Sequence, residues 1–176
     1  MQILGGSAIA AILVLLAALV FLLPKPAHVV TDPATLGSYI KQSALASTTA
    51  DQMKQKIVAG APGEVKNVVA AVYERKTGPG TSNGPQIIAF VGGNLAGGAS
   101  ASGLIGAMTA MRGSFTTNAG SLGGQAVCAP GASGGPAECT WADNDTFGVL
   151  ISATMSASAL AEQMRVIRPL VEHVAH

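Results

Sequence analysis

The chain has 176 residues, with 10 Lys and Arg against 9 Asp and Glu, and only 11% of its residues are charged. That length fits one domain, and the charged fraction lies well under the roughly one quarter of an average soluble domain. A formal charge of +1 leaves no basic footprint for nucleic acid, so that partner class is excluded.

Ile3 to Leu23 is an unbroken apolar run without a charge. It meets the roughly 20 residues that a bilayer-spanning helix needs. A cleaved signal peptide would want a basic start, a shorter apolar core and a small-residue cleavage site. Here no Lys or Arg precedes the run, and Pro24-Lys-Pro26 follows it. The expectation is an uncleaved transmembrane helix over residues 3–23. Lys25 on its C-terminal side biases the topology the wrong way under the positive-inside rule, but one lysine is a small bias. The cysteines argue for the opposite orientation, with the residues after Leu23 outside the cytoplasm. Residues 24–47, opened by Pro24, Pro26 and Pro33, read as a membrane-proximal connector, in which Tyr39 and Ile40 can pack back onto the domain. The extracytoplasmic domain is expected over residues 48–174.

Thr49-Ala-Asp-Gln52 fits a capping box and opens a helix. Met53 and Ile57 share its apolar face, Lys54 and Lys56 mark a solvated one, and Gly60 suits its C-terminal stop. Val65 to Tyr73 and Gln86 to Val91 read as strands of a hairpin, joined by the Gly- and Pro-rich residues 77–85. Gly92 to Gly98 then joins strand to helix. The segment invites comparison with a phosphate loop, but it lacks Gly-Lys-Ser/Thr and does not fit Gly-x-Gly-x-x-Gly, so a flexible turn is the better reading. Ser100 or Ser102 caps a helix carrying Leu104, Met108 and Met111 on one face and stopped by Gly113.

Cys128 and Cys139 are the only cysteines. Val127 and Trp141 flank them, and a Gly/Pro/Ser-rich loop separates them, so two short strands meet with the cysteines at the loop base. Facing strands can satisfy disulfide geometry. A redox pair normally uses Cys-x-x-Cys, and a structural zinc site needs four ligands. A structural disulfide is therefore expected, and with it an oxidising compartment. Asp143, Asn144 and Asp145 are turn formers between Trp141, read as a core anchor, and a strand over Phe147 to Ile151. As a calcium loop they lack the later Gly and the bidentate Glu of an EF-hand. Ser156 to about Val171 is the last helix, with Leu160, Met164, Ile167 and Val171 inward and Pro169 placed to kink or shorten it.

Gly131-Ala-Ser-Gly-Gly135 matches Gly-x-Ser-x-Gly, yet a nucleophile elbow needs a strand-to-helix turn. Here Ser133 lies in a loop between two strands. A triad also needs a histidine, and the three histidines, His28, His173 and His176, fall near the anchor and at the tail.

Cys139 to Val149, Met155-Ser-Ala-Ser-Ala-Leu-Ala-Glu162, Arg168-Pro-Leu-Val-Glu172, Asp32 to Tyr39 and Ala71-Val-Tyr73 together resemble a group of uncharacterised actinobacterial membrane proteins. The likeness covers roughly Asp32 to Glu172. It implies one membrane helix and a small extracytoplasmic domain, and it implies no activity. Taken together, the expected fold is α+β, with an antiparallel sheet of about five strands and about three helices on one of its faces. The expected function is that of a membrane-anchored, non-enzymatic binding or interaction module of the cell envelope. It would use the bilayer through residues 3–23 and a protein or envelope partner, with no catalytic, cofactor or metal residues. The alternative is a small envelope serine hydrolase using Ser133.

Overall fold

A computed structural model describes residues 27–42, 46–75, 84–97 and 99–175. The apolar run Ile3 to Leu23 lies outside the described residues, as do most of the 77–85 loop and His176. Among the described residues no helix is long and apolar enough to cross a membrane.

Strands β1 (His28–Val30), β2 (Thr35–Leu36) and β3 (Tyr39–Lys41) precede helix α1 (Ala46–Gly60). The hairpin β4 (Val65–Arg75) and β5 (Gln86–Leu95) leads to helix α2 (Ala101–Thr109). Four strands follow: β6 (Phe115–Thr117), β7 (Gln125–Ala129), β8 (Ala137–Ala142) and β9 (Thr146–Ser152). Helix α3 (Ala157–Val171) and strand β10 (Glu172–Val174) end the fold. Eight strands form one antiparallel sheet in the order β2-β3-β4-β5-β9-β8-β7-β6, and β1 pairs with β10 in a separate two-stranded ribbon. The α+β class and the antiparallel sheet agree with the sequence. The count of about five strands was too low, because β2, β3 and β6 of this sheet are only two or three residues long and carry too little alternation to register.

A second correction concerns the layers. The helices cover both faces of the sheet, not one. Strand side chains alternate between faces, and both sets are buried in the centre. Cys139, Trp141, Leu150, Phe90 and Tyr73 face α3, through Leu160, Met164, Ile167 and Val171. Val91, Val127, Ala142, Phe147 and Val149 face α1 and α2, through Met53, Ile57, Ile105 and Met108. Central strands buried on two faces lose the polar positions of a one-sided antiparallel sheet, so β9 runs as a nearly continuous apolar string. Trp141 is the anchor of the α3 side, fully buried and stacked on Phe90 with ring centroids 6.0 Å apart. Its indole lies across Gly148, its partner on β9, where any β-carbon would overlap the ring.

Third, the stretch read as a connector belongs to the domain from His28 onward. Tyr39 and Leu36 are buried against α3. The Tyr73 hydroxyl donates to the Pro33 carbonyl at 2.9 Å, and that of Tyr39 to Gln86 Oε1 at 3.0 Å. Ile40, by contrast, stays exposed on the other face. Fourth, Gly92 to Leu95 is no turn. It lies inside β5, paired with β9. Gly92 is needed because a β-carbon there would come within 2.8 Å of the Phe90 ring, a reason of close packing rather than of flexibility or phosphate binding.

Cys128 and Cys139 stand directly opposite each other on β7 and β8 and form the expected disulfide. Both are fully buried beneath α3. Closing this short loop constrains the unfolded chain by roughly 3 kcal/mol in the chain-entropy model. Helix α3 starts at Ser156, whose hydroxyl accepts from the Ala159 amide. Pro169 neither ends nor shortens it. Pro169 sits in the last turn on the exposed side, and the helix continues to Val171 before the Glu172 amide closes on the Arg168 carbonyl.

Candidate functional site

The polar residues that converge most densely lie where the β8–β9 turn, the 118–124 loop, α3 and the β1–β10 ribbon meet. The turn forms because Asp143 folds onto its own backbone. Its Oδ1 accepts from the amides of Asp145 and Thr146, each at 2.8 Å, and from the Thr146 hydroxyl at 3.2 Å. This is the local side-chain competition that makes Asp a turn former. Its Oδ2 is left for a partner.

That partner is Arg168, which the sequence reading passed over. It falls on the inward face of α3, four residues after Met164 and eight after Leu160, and is 1% exposed. A guanidinium has five N–H donors, and all five are used. Nε donates to Glu172 Oε2 at 2.8 Å, and Nη2 donates to Asp143 Oδ2 at 2.6 Å and to Glu172 Oε1 at 3.3 Å. Nη1 serves the carbonyls of Ala119 and Gly123. The guanidinium carbon also lies 5.9 Å from the centroid of the Trp141 ring, within cation–π range. A signal was present in the sequence: an arginine at an apolar helical position, with a glutamate four residues later.

Glu172 is buried, and His28 Nδ1 lies 3.6 Å from its Oε1. Asn94, buried on β5, donates to the His28 carbonyl at 2.6 Å and so holds β1 against the sheet. Five separate segments are thereby tied to one point.

His28, Asp143 and Glu172 each offer a ligand atom within 4.8 Å of the others. The set nonetheless suits a guanidinium rather than a metal ion. Arg168 already bridges the two carboxylates, and a divalent cation would have to share that space against its fixed charge. The Asp143 carboxylate is thus spent within the turn and on Arg168. A cleft of about 250 Å³ lined by His28, Leu122, Gly123, Gly124 and residues 143–145 lies at the same place.

Comparison with family models, with curated proteins and with solved structures finds no match to this chain.

Ser133 is elsewhere. It lies exposed in a single turn, Ala132–Gly134, at the tip of the β7–β8 loop, and a strand follows rather than a helix. His28 and His173 lie on the two strands of the β1–β10 ribbon, paired with Val174 and Val29, and His28 stands beside Asp143, at the opposite end of β8. The six residues of β8 separate the two ends by roughly 20 Å at about 3.3 Å each. Neither histidine reaches Ser133. The phenols of Tyr39 and Tyr73 are poor bases as well. Burial is the main effect pushing both upward, aided at Tyr73 by Asp32 and opposed at Tyr39 by Arg75.

Proposed function

We propose that the chain is a membrane-anchored module of the cell envelope. Residues 3–23 serve as its uncleaved anchor, and the α+β domain stands on the extracytoplasmic side. The observation that carries this reading is the buried Cys128–Cys139 disulfide, a bond that persists in oxidising compartments and is rare in the cytosol. An uninterrupted apolar run ahead of the domain supplies the anchor, and the resemblance to actinobacterial single-pass membrane proteins implies the same arrangement.

The role is non-enzymatic, through contact with a protein or envelope partner. Two observations support it. The polar groups of the Arg168 cluster are committed to one another, and neither His28 nor His173 reaches Ser133. The test is fractionation of cells that express the full chain. It should stay in the membrane pellet through an alkaline carbonate wash, and protease added outside intact spheroplasts should digest the domain. Release by carbonate would reject the anchor, and a protease-resistant domain that becomes sensitive only on lysis would reject the orientation.

A further inference from the structure

If residues 3–23 span the bilayer, only residues 24–27 separate Leu23 from the ribbon. Four residues reach at most about 14 Å. The headgroup layer of one leaflet already takes roughly 5–7 Å of that. The end of the domain that carries Ala27 is therefore held against the lipid surface.

What lies at that end is specific. Ala27 accepts from the Ala175 amide, and His28 pairs with Val174, so the chain leaves the domain beside β10. The outward positions of α3 and β10 here are Arg165, Val166, Pro169, Leu170, His173 and Val174, all exposed. The positions between them, Ile167, Arg168, Val171 and Glu172, are buried. Val166 and Leu170, one turn apart on α3, and Val174 beyond the helix end on β10 make up an exposed apolar ridge, with Val166 58% exposed. Three of the seven large exposed hydrophobic residues described in the domain are on this one ridge. Glu162, exposed one turn before Val166, bounds it at the end far from the ribbon. The one acidic residue of the stretch, Glu172, is turned inward onto Arg168. An apolar ridge with Arg165 and His173 at its margins, and Glu162 beyond its far end, matches a lipid surface.

We propose that the Val166–Leu170–Val174 ridge rests on the bilayer and sets the orientation of the domain. This rests on the anchored reading above. It leaves the Cys128–Cys139 hairpin tip at the end of the domain far from the leash, since that tip and the ribbon are at opposite ends of β8.

The test uses the full chain in vesicles of phosphatidylcholine and phosphatidylglycerol. The native cysteines are joined and do not react, so an environment-sensitive fluorophore can be placed on Leu170→Cys or, as a control, on Ala132→Cys at the hairpin tip. Both positions are exposed, so the fold tolerates the change. The expected result is blue-shifted emission and loss of iodide quenching at position 170, with neither at position 132. A second variant, Val166→Ser/Leu170→Ser with the label on Val174→Cys, should regain quenching while the chain stays in the vesicles. Equal quenching at 170 and 132, in chain that resists carbonate washing, would overturn the ridge contact and leave the anchor standing. Chain that washes off the vesicles would overturn the anchor and the contact with it.

Discussion

Replacing Arg168 with methionine tests whether the buried cluster holds the domain together. The perturbation removes five donors at once and leaves Glu172, fully buried, and Asp143, mostly buried, as carboxylates without their cation. Breaking a buried ion pair from one side costs about 3–5 kcal/mol, because the remaining charge is uncompensated. The orphaned carbonyls of Ala119 and Gly123 act in the same direction. Each kcal/mol shifts the unfolding midpoint of a domain this size by about 2–4 °C, so the expected fall is about 6–20 °C. The assay is thermal unfolding of a chain beginning at Ala27, with the disulfide intact. A double-mutant cycle makes the reasoning sharper. In a Glu172→Gln background the cost of Arg168→Met should shrink, since the buried charge left behind is gone. A midpoint change under about 2 °C, or an equal loss in both backgrounds, would refute the account of Arg168 as the tie between these segments.

Ser133→Ala should leave any measured activity and phenotype intact, and a fluorophosphonate probe should not label the wild-type chain; Ser133-dependent labelling would favour the hydrolase. Glu138 gives a pH prediction. Burial raises its carboxyl above the usual range, so the folded state holds the proton more tightly than the unfolded one. Stability then falls as pH rises through that raised value. Glu138→Gln should therefore stabilise the domain at pH 7, with the gain fading toward about pH 4, where both states are protonated. A gain that persists unchanged at low pH would point to packing instead. Changing both cysteines to serine should destabilise by about 2–5 kcal/mol, read as a lower unfolding midpoint. The single changes should behave worse in practice, because each leaves a thiol free to pair between molecules.

Much of the domain was legible because its signals are local. Ser156 followed by Leu160, Met164, Ile167 and Val171 is enough to place α3. Two cysteines across a Gly- and Pro-rich loop are enough to suggest their pairing. What was missed depends on partners distant in the chain. His28, Ala119, Gly123 and Asp143 converge only after the sheet has formed, so Arg168, with Glu172 four residues on, looks like one more surface ion pair. Strands β2 and β3 lie in a proline-marked stretch that reads as a connector until β4 pairs with β3. Gly92 looks like a turn residue and Gly148 like a weak point in a strand, and only the Phe90 and Trp141 rings against them show why they are glycines. The helices on the second face were hidden for a related reason: a short apolar strand run looks the same whether one face or two are covered.

The most direct test of the central claim is the redox state of the two cysteines in the cell. Thiols are blocked in intact cells before lysis, and a non-reduced digest is read by mass spectrometry. The account predicts a single peptide pair joined through Cys128 and Cys139, with neither residue alkylated. Recovery of both as alkylated free thiols from native material would contradict the disulfide, and with it the main argument that the domain faces out of the cytoplasm.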